Sequence, residues 1–254
     1  MIALFVGACG SPSGQASQSA PPAQATPTNG PTAMPSTNPQ PTSSASPTPS
    51  TNVLDIPMDY QDHPLSCEAA ALKMALTKEG IQASEDELLA LMGRDDRAAV
   101  VDSNGRLLHW GNPNVAYVGD PDGKLASFTG YGVYAAPVAK AAAAAGATVL
   151  VWGTNLPPDR GKGIAPATVY QALLEGHPVV AWISNTYHDI QLGSYTAFDG
   201  TTIWYTLTEH AVTLIGVRPD AVLINDPWFG QAWHSKAEFE SAFHTFEEMA
   251  VIVE

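Results

Sequence analysis

The chain has 254 residues, with 11 Lys and Arg against 25 Asp and Glu, a formal net charge of −14 and only 14% charged residues. That length suits one large domain or two small ones, and the acidic balance argues against nucleic acid or an anionic lipid surface as partner, because both select clustered Lys and Arg. No apolar run reaches the roughly 18 residues of a spanning helix, and neither Cys-x-x-Cys nor His-Glu-x-x-His occurs, so no metal or cofactor is expected.

The N-terminal fifth has a composition of its own. Residues 1–52 hold no charge and one aromatic residue, Phe5, while ten of the 21 prolines fall between Pro12 and Pro49. A Ser/Thr/Pro-rich stretch with so little apolar surface does not offset the entropy of ordering, so residues 10–52 are expected to form an extended, disordered stalk. Ahead of it, Val6-Gly7-Ala8-Cys9 closes a short apolar run and resembles a bacterial lipobox, in which a cysteine exposed by signal cleavage carries lipid. Residues 1–9 then read as a signal remnant and Cys9 as the lipidation site. The expected location is the bacterial cell surface, outside the cytoplasmic membrane, with membrane contact only through that lipid. The eight residues before Cys9 include no basic residue and are short for a signal peptide, which points to a start codon further upstream.

All 36 charged residues lie in 53–254, a span that suits a single, monomeric domain. Ser66 is placed to cap a helix over 67–79, stopped by Gly80. Ser84-x-x-Glu87 is a capping box for a helix through Met92, and the acidic Glu85-Asp86-Glu87 complements its dipole. Residues 109–132 are dense in Gly, Pro, Asn and Asp and read as one long turn-rich loop. Short helices follow over 137–145 and 166–175, each closed by a glycine. Strands are expected over 148–152, 178–183, 203–207, 210–217, 221–225 and 249–253, with a last helix from the Ser235-x-x-Glu238 box to about Phe246. Helices first and an antiparallel sheet second give an α+β class.

Cys67 sits at the first turn of the first helix, where free N–H groups and the dipole lower a thiol pKa, behind the polar segment Gln61-Asp62-His63-Pro64-Leu65. A lone cysteine is more often a small buried hydrophobe; the candidate partners argue otherwise. Gln61 precedes it by six residues, His210 starts a strand, and Asp226 ends the next strand. Asn225 is the rival for a residue orienting His210, since alternation along a strand lets only one of the two face it.

The order Gln61, Cys67, His210, Asp226 on a helix-then-sheet domain resembles the papain-like cysteine peptidases. More narrowly, Tyr60-Gln61, Ser66-Cys67-Glu68-Ala69-Ala70, Trp110-Gly111-Asn112-Pro113, Gly130-Tyr131-Gly132, Gly176-His177-Pro178, Glu209-His210-Ala211-Val212 and Ile224-Asn225-Asp226-Pro227 are similar to the bacteriocin-leader-processing peptidases and their free-standing relatives, cysteine peptidase family 39. The resemblance implies a thiol acyl-transfer site acting on a peptide or protein. Cys67 would be the nucleophile, a thiolate paired with His210; His210 would protonate the leaving amine; Asp226 would fix the imidazole tautomer. The Gln61 amide and the Cys67 N–H would form an oxyanion hole, each donor worth about 3 kcal/mol. The family's transporter-linked members carry an ATPase; this chain has no P-loop, so its substrate stays open. A cell-wall amidase or transpeptidase of the same fold, or a non-catalytic peptide-binding module, are the alternatives.

Other candidates fit less well. His63 lies in a loop beside Pro64; His109, His177, His188, His234 and His244 read as structural or surface residues. His188-Asp189 lacks a second ligand pair, and Asp120-x-Asp122-Gly123 reads as a turn rather than a calcium loop. Trp110, Tyr131, Tyr134 and Trp228 suit either a substrate cleft or the core.

Overall fold

A computed structural model describes residues 50–254; Cys9 and the expected stalk through residue 49 lie outside the described residues. The first half holds β1 (Asn52–Val53), α1 (Cys67–Thr77), α2 (Glu85–Met92), β2 (Arg94–Asp95), β3 (Val100–Val101), β4 (Leu107–Trp110), β5 (Tyr117–Gly119), β6 (Gly130–Gly132) and α3 (Ala135–Ala145). The second holds β7 (Val149–Gly153), α4 (Pro166–Glu175), β8 (Val179–Ser184), β9 (Gly193–Ala197), β10 (Thr202–Tyr205), β11 (Glu209–Arg218), β12 (Ala221–Asp226), β13 (Gly230–Ser235), α5 (Lys236–His244) and β14 (Ala250–Val253).

The main sheet runs β13-β12-β11-β8-β14-β7, with β1 paired to the far end of β11. Its pairings are antiparallel throughout. Strict alternation along β8 sends Val180 and Trp182 to one face and Val179, Ala181 and Ile183 to the other. The first face packs on α1, α2 and α3, and the second on α4 and α5, so the central strands are buried on both sides. Thr213 of β11 donates to the Ala71 carbonyl at 2.7 Å, which sets the height of α1 on the sheet.

Both expected capping boxes form, Ser84 with Glu87 and Ser235 with Glu238. The helices α3 and α4 end on Gly146 and Gly176, both with φ positive. Three expectations need correction. Residues 109–132 are not one loop: β5 and β6 lie inside it, β4 enters it, and they build two small sheets beside the helices. Such strands are too short to show a period, and their glycines serve the bends between them. The strands β9 and β13 also escape the sequence, being largely exposed. Asn52, assigned by composition to the stalk, is already paired with Val217, and its amide donates to the Leu173 carbonyl at 2.8 Å. Among the described residues no helix is long and apolar enough to cross a membrane.

Candidate active site

Cys67 is the first residue of α1 and Ser66 its N-cap, but the Ser66 hydroxyl does not cap. It donates to the His63 carbonyl at 3.1 Å and to Glu85 Oε2. Glu85 also accepts from the Asp62 N–H at 2.9 and 3.0 Å. Its carboxylate therefore does more than complement the dipole of α2: buried, it pins the segment that carries Gln61 and delivers Cys67. Gln61 is further tied by its N–H to the Pro227 carbonyl at 3.1 Å, which joins this segment to the turn after β12.

His210 is the second residue of β11, held between β8 and β12. Its Nε2 meets Asp226 Oδ1 at 2.8 Å, and both side chains are buried. Asp226 Oδ1 also accepts the Trp228 and Phe229 N–H groups at 2.8 and 3.0 Å, and Oδ2 accepts the Tyr187 hydroxyl at 3.1 Å. Burial alone would raise this carboxyl, but the His210 bond, the His210 charge and the two backbone donors outweigh it and hold it below its ordinary value. Asn225 turns elsewhere. Its amide donates to the Ile56 and Pro57 carbonyls, each at 3.3 Å, and its carbonyl accepts from Gln231, so Asp226 is the residue that meets the imidazole.

Gln61, Cys67 and His210 line one cavity of about 190 Å³, together with Leu65, Tyr131, Glu209 and Trp228. Asp226 stands behind His210. A larger cleft of about 610 Å³ lies beside Asn155, Asp189 and His244, but no cysteine lines it, and the His244 imidazole there faces Glu248 at 3.8 Å. Trp110, Tyr131 and Tyr134 are buried core residues, whereas Trp228 is 52% exposed at the cavity. His63 is clamped between Asp86 and Asp122, each at 3.0 Å, and has no ring nitrogen left to act as a base. The 120–123 segment closes a turn through the Gly123 N–H to the Asp120 carbonyl, 2.9 Å.

Two expected contacts are not made. The Cys67 thiol donates to Glu68 Oε2 at 3.4 Å, and among the described residues it forms no hydrogen bond with His210. Burial, then the Glu68 and Glu209 carboxyls, push the thiol well above its ordinary range. In this arrangement the sulfur is bonded to Glu68, and the expected Cys67–His210 ion pair is not formed. Alternation along β11 explains the arrangement: Glu209, Ala211 and Thr213 turn toward α1, so the sulfur beneath α1 meets the Glu209 carboxyl first. The Gln61 amide nitrogen donates to the His63 carbonyl at 2.7 Å, and its Oε1 is buried without a partner, so it is not aimed into the cavity as a free donor.

Sequence reasoning missed Glu68, Glu209 and Tyr187. The first two flank the chemistry directly, one after the cysteine and one before the histidine, and strand alternation pointed Glu209 at α1. Glu68 Oε1 accepts the Val133 N–H at 2.6 Å, and burial lifts the Glu68 carboxyl to about 7. Burial and then Glu68 raise Glu209 well above the ordinary range. Nothing local in the sequence announces Tyr187, since it reaches Asp226 from the loop after β8.

Comparison with known proteins supplies the frame for this geometry. YvpB of Bacillus subtilis (strain 168), an uncharacterised protein, is 26% identical over 212 residues, covering 80% of this chain and 73% of its own length. A crystal structure from Bacillus anthracis, described as a C39-like peptidase, is 25% identical, matches 80% of this chain and 97% of that one, and superposes with a TM-score of 0.64. A double glycine motif protease from an AMS/PCAT transporter, solved with its leader peptide, is 17% identical over 80% of this chain and 93% of its own, with a TM-score of 0.41, too distant to bear on the reading of this site. The Peptidase_C39 like family model matches residues 53–251, nearly the whole described domain. A helix-borne cysteine above a sheet that carries histidine and aspartate, in a chain matched over that span, places this protein in the Peptidase_C39 like family, with a papain-like α+β fold.

Proposed function

We propose that the protein is a cysteine peptidase in which Cys67, His210 and Asp226 hydrolyse peptide bonds by thiol acyl transfer. The observation that carries this reading is the buried His210–Asp226 pair, bonded through Nε2 at 2.8 Å, whose imidazole shares a cavity with the Cys67 thiol. Asp226 fixes the Nε2–H tautomer, which leaves Nδ1 as the basic nitrogen. Because the thiol is bonded to Glu68 and not to His210, His210 acts as a general base during attack, not as a standing ion-pair partner. The sulfur turns about the Cys67 Cα–Cβ bond from Glu68 toward Nδ1 and gives up its proton. It then bonds to the substrate carbonyl carbon; the C–N bond breaks as the imidazolium protonates the leaving amine, and water later releases the acid from the thioester. The Cys67 N–H at the start of α1 is a donor for the developing oxyanion. Gln61 adds a second once a substrate draws its amide away from the His63 carbonyl.

The same reading puts the domain outside the cytoplasmic membrane, tethered through lipid on Cys9 by the Ser/Thr/Pro-rich segment; the support for this is the sequence Val6-Gly7-Ala8-Cys9 and the composition behind it. The test is turnover by the full chain and its Cys67→Ala variant on a peptide library and on peptidoglycan fragments. Cleavage of peptides by the parent chain alone is the expected result. Cleavage confined to peptidoglycan identifies the amidase alternative, and no difference between the two proteins on any substrate contradicts the enzymatic reading.

A further inference from the structure

Cys67 Sγ, one oxygen of Glu68 and one of Glu209 lie within 4.8 Å of one another, all three side chains buried. No lysine or arginine pairs with either carboxyl among the described residues. The second, independent observation is Glu209 Oε1. This oxygen is sealed from solvent on a side chain only 6% exposed, and no donor reaches it. A buried carboxylate oxygen without a donor costs free energy unless a proton, a water or a cation meets it. Space is also kept for the group: a Cβ on Gly132 would stand 2.1 Å from Glu68 Oε1 and 3.3 Å from Glu209 Oε2. The Val133 N–H holds Glu68 Oε1 at 2.6 Å, which fixes the carboxyl so that Oε2 faces the sulfur. Cys67 and Glu209 both line the 190 Å³ cavity, which gives an ion a way in.

We infer that Cys67, Glu68 and Glu209 form a binding site for a divalent cation of the zinc class, and that the bound ion blocks the peptidase by capturing the nucleophilic sulfur. The inhibitory half rests on the proposed function; the binding half does not. One thiolate with two carboxylates is a soft–hard mixture that suits Zn²⁺ or Cd²⁺ and disfavours Mg²⁺ and Ca²⁺, which take oxygen ligands. Ligands around a tetrahedral zinc stand about 3.5 Å apart, given metal–ligand bonds of about 2.0–2.3 Å, so the three groups close up slightly on the ion. Binding forms one metal–sulfur and two metal–oxygen bonds and releases to solvent the thiol proton and any proton on the carboxyls. A water completes the fourth position, and the sulfur is then unable to turn toward His210.

Cd²⁺ titrated into the full chain under reducing conditions is the direct test, read by the ultraviolet thiolate-to-cadmium charge-transfer band and by calorimetry. One equivalent is expected to saturate the band in the parent protein. Cys67→Ser should abolish it, and Glu209→Gln and Glu68→Gln should each weaken binding by at least about tenfold. Far-UV dichroism and melting of each variant check that it is folded. A band unchanged in both glutamine variants, or no binding at millimolar Cd²⁺, overturns the site. The second arm adds Zn²⁺ to peptidase assays and compares each protein with its own metal-free rate. Parent activity should fall with the affinity measured by competition against Cd²⁺, and Glu209→Gln should resist by at least tenfold. Metal bound at the site with unchanged turnover overturns the inhibitory half. If the parent chain cleaves nothing, the function reading fails while the cadmium band still decides the site.

Discussion

Asp226 uses both carboxylate oxygens. Oδ1 serves His210 and two backbone N–H groups, and Oδ2 serves Tyr187. An amide in its place keeps the shape but offers an N–H toward the imidazole, or loses the backbone donors if it flips, so the tautomer is no longer dictated. Asp226→Asn is expected to lower kcat by about 10⁴-fold with little change in KM. Asn225→Ala, which removes bonds to the Ile56 and Pro57 carbonyls, should lower stability and leave the pH profile of kcat unmoved. The carboxyl also sets a pH dependence. Its folded pKa lies below the ordinary 3.8, so its contribution to stability is complete above that value and is lost as pH falls through the folded value. Urea melts from pH 6 downward should therefore show the parent losing stability faster than Asp226→Asn in the acid limb. Parallel slopes would contradict the assigned shift.

The segment between β1 and α1 leads into Cys67, and it is held by Glu85 rather than by a capped helix start. The buried Glu85 carboxylate takes the Asp62 N–H and the Ser66 hydroxyl, with Lys73 Nζ at 3.8 Å. Glu85→Ala leaves those donors without a partner and should cost about 2–4 kcal/mol in denaturant unfolding. It should also reduce turnover more than Asp86→Ala, whose carboxylate is exposed. Equal effects would show that the anchor is dispensable. The same elements show what was legible in the sequence. Capping boxes at Ser84 and Ser235, glycine stops at Gly146 and Gly176 and the β-branched runs of β8, β11 and β12 carry local signals, and these elements form close to their expected bounds. The strands of 107–132 carry none, because three or four residues between turns set up no period. At the site, types and order of Gln61, Cys67, His210 and Asp226 were readable, but the direction of the sulfur was not. That direction depends on Glu68 and Glu209, whose acidity and burial arise only when α1 docks on β11. Ser66 shows the same limit: its type predicts a cap, and only the tertiary position of Glu85 draws it away.

Across the whole molecule the sheet is filled on both faces, and on the helical face Trp182 ties the sheet to the segment after β6: its indole N–H donates to the Val133 carbonyl at 2.9 Å, beside Glu68. The site thus sits where the helical face, the sheet end and the Gly130–Gly132 strand converge, which is why residues as far apart in sequence as Cys67 and His210 line one cavity there. The proposed tether lies outside the described residues, so it needs its own test. Expressed in a bacterium behind an appended lipoprotein signal sequence, the full chain should incorporate labelled palmitate and partition into detergent, and Cys9→Ser should do neither. Labelling that survives Cys9→Ser would contradict the anchor.

In the proposed mechanism the Cys67 sulfur bonds covalently to a substrate acyl group under control of His210. Intact mass measured during rapid mixing with an activated peptide ester tests it most directly. A transient acyl adduct mapped to Cys67 is expected, none in Cys67→Ala, and an adduct formed at least about 100-fold more slowly in His210→Ala. Adduct formation at the same rate in His210→Ala, or a parent protein that never becomes acylated, would contradict it.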